Sequence, residues 1–327
     1  MASTSHRVGA RSPRPPGTDG SEMDHLSREQ RHGIVSTCMA SFFLGWAPIL
    51  GKFAYRSGVT PFTLAALRTA VAAVLIWLAF ALLWRREIVI SWRGLLGCIS
   101  VGAVNGLGSL FYYTSLSRLD ASLAALLNTL YPLWVVLFLF ASGQPLTMLT
   151  LARLALSMLG VFLLTRSGTG KLDWLGVTMM VASAAIYGWH LVLGQWVLAD
   201  VPSRTATLYI LTAMAGVVGL ARVLEGQPVE PVTPSGLSAI LALGLTTALS
   251  RLAMFSGLQR VGGVETALFG LLELLISLAL AFLLLGERLS PVQWIGGALL
   301  VVGMVLMMRD PGMHLAQGNE PLEWKHG

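Results

Sequence analysis

Apolar residues run along this chain in blocks separated by short polar breaks. A helix needs about 20 apolar residues to cross a bilayer. Counting blocks of that size predicts about ten spans: roughly 33–54, 61–84, 94–117, 121–141, 147–165, 173–197, 205–224, 236–257, 264–285 and 291–308. Several breaks carry capping chemistry. Thr60 before Pro61 reads as a Thr N-cap with Pro at the first helical position. Asp120 precedes the fourth block, and Ser290-Pro291 opens the tenth. Loops this short predict antiparallel neighbours, and no stretch is long enough for a soluble domain.

The blocks repeat. Gly45-Trp46 recurs as Gly188-Trp189, Pro61 as Pro202, and Leu116-Ser117-Arg118 as Leu258-Gln259-Arg260. Gly143-Gln144-Pro145-Leu146-Thr147 recurs as Gly286-Glu287-Arg288-Leu289-Ser290, and Gly160 as Gly303. The offsets are 143, 141, 142, 143 and 143 residues, which points to a duplication. Each half holds five spans, an odd number, so the second half enters the membrane from the opposite side. The predicted fold is an all-α polytopic membrane protein of about ten transmembrane helices in two inverted five-helix repeats, a pattern of many secondary transporters. The organisation reads as a disordered tail over 1–32, repeats over 33–166 and 172–309, and a C-terminal tail over 310–327.

Composition sharpens this picture. Of 327 residues, 55% are hydrophobic and 12% charged, against roughly a quarter charged in an average soluble domain. That excludes an ordinary soluble enzyme, a disordered chain and a nucleic-acid binder. The net charge of +6 does not argue for nucleic acid, because the cations are scattered between apolar blocks and form no basic face. Twelve Lys and Arg flank the spans on the N-terminal side and seven on the other; Arg68, Arg153 and Arg251 lie inside spans. The positive-inside rule then places both termini in the cytoplasm. Cys38 and Cys98 sit in apolar blocks and read as buried thiols without disulfide or metal spacing. The first thirty or so residues, rich in Pro, Arg, Ser and Gly, have no apolar core of a signal peptide.

Specific residues carry a resemblance. Leu285-Gly286-Glu287-Arg288-Leu289-Ser290, followed by Gln293-Trp294-Ile295-Gly296-Gly297 and Gly303, resembles the end of an EamA domain of the drug/metabolite transporter superfamily. The first-half stretch Pro61 to Arg68, with Ala121 to Ala125 and Pro132, is similar in the same way. The resemblance covers about residues 33–309. It implies a ten-helix secondary carrier in the cytoplasmic membrane, with two inverted halves around a central cavity. Family members export amino acids, other metabolites or drugs, or take up small solutes. The chain departs from the family pattern at Gln144-Pro145, where Glu-Arg is usual, and after Glu273, where Leu274 stands in place of a frequent Pro. The distance from Pro132 to Gly143 is one residue shorter than from Leu274 to Gly286, so the fourth helix is expected to be tilted or shorter than the ninth.

Ionisable groups inside a bilayer cost roughly 2.5–3.5 kcal/mol at mid-helix, which marks them as functional candidates. Five lie well inside the spans: Arg68, Arg153, His190, Arg251 and Glu273. Arg251 falls about 15 Å before the turn at Arg260-Val261-Gly262-Gly263 and Glu273 about 18 Å after it, at about 1.5 Å per residue. Antiparallel neighbours at nearly equal depth can pair. In that reading the pair lines the cavity and Glu273 binds a substrate amine or a coupling proton; in the alternative it only pins two helices together. Arg68, about 10 Å into the second span, is either an anion clamp for a carboxylate or a snorkelling structural residue. Arg153 reads as snorkelling. His190 is a proton shuttle or a packing residue beside Trp189. The repeat-related Trp46 and Trp189 grip an apolar or cationic substrate, or pack where helices cross. Asn105 and Asn128 face a wet cavity or bond a neighbouring helix, and Tyr112 shares the Asn105 face about two turns on.

Enzyme motifs and nucleotide loops are absent from the sequence, and Gly106-Leu107-Gly108 sits in mid-membrane without a preceding strand. The expected function is a secondary transporter, an exporter of small metabolites such as amino acids or drug-like compounds. It acts by alternating access on a cavity between spans 1, 3, 4, 6, 8 and 9. The expected partners are a small-molecule substrate, the lipid bilayer and H+ or another coupling ion, with no cofactor, metal or nucleic acid. A membrane enzyme or lipid-handling protein and a non-transporting receptor or scaffold are the competing classes.

Overall fold

The computed structural model describes residues 20–141, isolated positions within 152–163, and residues 173–228 and 231–308. The fifth apolar block, 147–165, lies largely outside these residues, and Arg153, Gln144 and the C-terminal tail lie outside them entirely. Among the described residues the structure is helical, without strands. The first half contributes α1 (Gly20–Gly45), α2 (Ala47–Arg56), α3 (Pro61–Leu82), α4 (Trp92–Arg118), α5 (Ala121–Asn128) and α6 (Tyr131–Ala141). The second contributes α7 (Trp174–Asp200), α8 (Ser203–Leu224), α9 (Pro234–Phe269), α10 (Leu271–Leu280) and α11 (Pro291–Met308). The first helix thus begins at Gly20, inside the segment read as tail.

Among the described residues, six helices are long and apolar enough to cross a membrane: Glu29–Arg56, Pro61–Leu82, Trp92–Arg118, Trp174–Asp200, Ser203–Leu224 and Pro234–Gly263. They match blocks one, two, three, six, seven and eight. Blocks four, nine and ten form shorter apolar helices over Ala121–Val135, Leu272–Leu285 and Pro291–Gly303. The protein is an all-α, multi-pass membrane protein. Large apolar side chains point outward along it, including Val74, Leu78, Leu245, Leu275 and Val302. Trp92, Trp174 and Trp294 are exposed near helix starts, where indole rings sit at a membrane–water boundary.

Local chemistry explains the boundaries. The Thr60 hydroxyl accepts the Thr63 amide at 3.4 Å and Pro61 follows as the first helical residue. Ser91 caps α4 through the Gly94 amide, and Asp173 caps α7 through Gly176. At α11, Ser290 Oγ accepts the Gln293 amide while Gln293 Oε1 accepts the Ser290 amide, a reciprocal capping box. Asp120 occupies the N-cap position of α5, but its side chain makes no capping bond. Glu287, from the other half, does so instead: its carboxylate accepts the Ala121 amide at 2.9 Å, the Ser122 amide at 2.8 Å and the Ser122 hydroxyl at 2.7 Å.

Both halves break their helices near the same place. Block four is interrupted at Thr129-Leu130, just before Pro132, whose ring nitrogen has no proton to continue the ladder. Block nine is interrupted at Gly270. Within α9, Gly262 has φ 84° and ψ 175°, a region open essentially to glycine alone. The chain turns there, as the Arg260-Val261-Gly262-Gly263 pattern predicts.

The repeated glycines mark where the halves touch. A Cβ at Gly45 would lie 2.6 Å from Ile276 Cγ2, and one at Gly188 would lie 2.9 Å from Trp134 Cβ and from the Tyr131 carbonyl. Block one therefore crosses block nine, and block six crosses block four, each contact joining one half to the other. Ser277 Oγ donates to the Gly45 carbonyl at 3.0 Å at the first crossing.

Candidate functional site

Between these crossings lies a cavity of about 70 Å³. It is lined from block one by Phe43, Leu44 and Ala47, from block two by Arg68, from block three by Asn105, Ser109, Tyr112 and Tyr113, and from block four by Asn128. The second half adds Ser183, Tyr187, Thr247, Ser250, Arg251 and Glu273. At roughly 10–15 Å³ of accessible space per water, this volume admits a few waters. Six expected site residues meet here: Arg68, Asn105, Tyr112, Asn128, Arg251 and Glu273.

Helical spacing builds the polar lining. Asn105 and Ser109 are one turn apart on α4, and Thr247 and Arg251 one turn apart on α9, so each pair shares a face. Arg68 reaches across from α3. Its Nη1 donates to Thr247 Oγ1 at 3.0 Å and its Nη2 to Ser109 Oγ. Its guanidinium lies 4.4 Å from the Tyr113 ring centre. Arg251 Nη2 donates to Asn105 Oδ1 at 3.2 Å and Nη1 to Met254 Sδ at 3.4 Å, with the Tyr187 ring 5.5 Å away. Both arginines are over nine-tenths buried, at 5% and 6% exposure. Arg68 is thus held inside the cavity wall and does not snorkel. Its second-half counterpart Tyr209 does something else, donating its hydroxyl to the Ile88 carbonyl at 2.7 Å.

Arg251 and Glu273 share the cavity but do not pair. No ion pair joins them among the described residues; the Asn105 amide and the Tyr187 ring take the guanidinium instead. Glu273 lines this cavity and a smaller one beside Ser41 and Tyr131. The Nε atoms of Arg68 and Arg251 are buried with no hydrogen-bond partner among the described residues.

Three expected residues lie apart from the lining. His190 is fully buried behind Tyr187, stacked on that ring at 5.7 Å and edge-on to Phe255 at 5.8 Å. Its Nδ1 sits 3.3 Å from the Val101 carbonyl oxygen. Trp189 packs against Phe138 at 5.2 Å and Trp196 at 6.0 Å. Trp46 stands at the junction of α1 and α2, where Pro48 opens the second helix. The hydroxyls of Ser109 and Thr247 were not anticipated from sequence. Their signal was present: each lies one turn from a polar residue on the cavity face.

A family model described as the EamA-like transporter family matches residues 31–166 and again 174–309. The chain belongs to the EamA-like transporter family. It is a membrane transporter of the drug/metabolite transporter superfamily. The double match of this EamA protein parallels its two-repeat architecture. Among curated relatives, the "Uncharacterized transporter YcbK" of Bacillus subtilis (strain 168) is 24% identical over 286 residues, covering 82% of this chain and 90% of the relative. The "Uncharacterized transporter YwfM" of the same organism is 26% identical over 159 residues, covering 48% of this chain and 53% of that protein. A crystal structure superposes with a TM-score of 0.62 at 22% identity, over 84% of this chain and 95% of its own. That likeness concerns the fold.

Proposed function

We propose that this EamA protein is a secondary transporter that exports small metabolites, such as amino acids or drug-like compounds, across the cytoplasmic membrane by alternating access. The observation that carries the reading is the central cavity, where both repeats contribute charged side chains: buried Arg68 from the first, buried Arg251 and half-buried Glu273 from the second. Keeping three ionisable groups at membrane depth is costly without a polar passenger to serve. A packed scaffold has no use for them. The cavity's small volume suits a closed state, which rocking of one half against the other widens on one side at a time. Glu273, without an ion pair among the described residues, is the group proposed to bind a substrate amine or a coupling proton. The excess of Lys and Arg on the N-terminal side supports cytoplasmic termini.

Untargeted metabolite profiling of culture medium tests this. Cells would express the intact chain, the Glu273→Gln variant or an empty vector, each checked for protein in the membrane. The expected result is a compound that accumulates only with the intact chain. An unchanged medium with correctly inserted protein would overturn export, and a fully active Glu273→Gln would remove Glu273 from the path.

A further inference from the structure

We propose that the cavity selects its passenger by a carboxylate, clamped between the guanidinium groups of Arg68 and Arg251. This rests on the reading of the cavity as the transport site. The geometry comes from two helices acting as rulers. Arg68 is bonded to Ser109 and Thr247. Arg251 is bonded to Asn105, and its own backbone lies one turn from Thr247. The two cationic heads therefore contact the same face of α4, at Asn105 and Ser109 one turn apart, whose Cβ atoms stand roughly 6 Å from each other.

Every partner they have is neutral: two hydroxyls, an amide, a thioether and two tyrosine rings. Neither arginine has a carboxylate within ion-pair distance among the described residues. Two buried guanidinium groups thus share one cavity with a single carboxylate among the described residues, Glu273, which is not in contact with either, and each has an Nε without an acceptor. A bound carboxylate supplies a second negative charge and an acceptor, since it accepts forked bonds from guanidinium groups in a common plane. Ser183 and Ser250 add hydroxyls to the same wall, and Phe43 and Leu44 offer an apolar surface to the rest of the molecule. A cationic or neutral passenger would leave at least one of the two guanidinium charges unmatched, because the cavity holds only one carboxylate among the described residues, Glu273. Glu273 is then free to take the ammonium of a zwitterion, so amino acids and simple organic acids both satisfy the clamp.

Matched pairs test the idea: benzoate and benzamide, phenylalanine and phenylalaninamide, leucine and leucinamide. Binding of each is measured by calorimetry to the purified full chain in lipid nanodiscs. At least one carboxylate is expected to bind roughly tenfold or more tighter than its amide, the loss of a charge-assisted bond being worth that much. Arg251→Gln should erase the difference. Wild-type protein alone decides the case if that variant fails to fold. Amides that bind as well as their acids, or no carboxylate binding at all, would overturn the clamp. The transport reading fails separately: carboxylates that bind but never cross a proteoliposome membrane leave the clamp standing and sink transport. An exported compound without an acidic group does the reverse.

Discussion

The cap on α5 comes from the wrong place in the sequence, and that gives a sharp prediction. Asp120 precedes the helix, yet its side chain bonds nothing at the N-terminus, whereas Glu287 accepts two backbone amides and a hydroxyl there from 165 and 166 residues away. A hydrogen bond to a charged group contributes about 1.5–3 kcal/mol, and an anion at a helix N-terminus adds about 0.3–1 kcal/mol. Three bonds sharing one carboxylate do not add fully, and Glu287 is half-buried, with water able to replace part of the loss. The amides it serves belong to Ala121 and Ser122, which are buried, at 0% and 4% exposure. Glu287→Ala is therefore expected to destabilise the protein by about 2–4 kcal/mol. Glu287→Gln, which keeps one acceptor oxygen and turns a donor toward an amide, should lose about half of that. Asp120→Ala should cost less than about 0.5 kcal/mol. Thermal unfolding of the three variants in one detergent, followed by tryptophan fluorescence, gives the ranking. If Asp120→Ala proves as damaging as Glu287→Ala, the cross-half cap has been misread.

Two further outcomes follow from the geometry. Gly262→Ala forces a side chain into the glycine-only backbone region at φ 84° and should cost about 1–3 kcal/mol in the same melting assay; a variant as stable as the parent would contradict the backbone turn. At the loop before α7, Asp173 is held below the usual carboxylate range by the Gly176 amide, with Arg118 Nε at 2.7 Å adding to the effect. A depressed folded-state value means stability that is present above the unfolded value and fades as pH falls through the folded one. The melting temperature of Asp173→Asn should therefore lie below that of the parent at pH 7 and converge with it below pH about 4. A gap that stays constant across that range would refute the assignment.

Much of this molecule was legible before its coordinates. Block lengths report how far a segment reaches through the bilayer, so six of the ten expected spans emerge from one-dimensional counting, as do the caps at Thr60 and, on the shorter helix of block ten, at Ser290. The duplicated Gly-Trp pairs emerge too, but with the emphasis misplaced. The tryptophans do not line the cavity, and the glycines are the contact points between halves. Of the costly residues, Arg68, Arg251 and Glu273 line one cavity, while His190 packs behind it. Their partners were harder. Equal depth suggested that Arg251 and Glu273 would pair, yet depth leaves the rotation of each helix free. Asn105 on α4 and Tyr187 on α7 claimed the guanidinium. Likewise, a carboxylate next to a helix start looks like its cap until an opposing loop brings a better one. Order along the chain carries no information about such contacts between the halves.

The long separation between Arg68 and its partners bears on how the protein is made. Ser109 follows it by 41 residues and Thr247 by 179. At a ribosomal pace of about 5–20 residues per second, the first partner emerges within about 2–8 s and the second only after about 9–36 s. Through that interval the second span sits in lipid with a half-dressed cation. Its very apolar neighbours, with a mean hydropathy of 2.1, must hold it there against the charge. Biogenesis therefore passes through an incomplete intermediate in which the second partner of Arg68 arrives only with the eighth span.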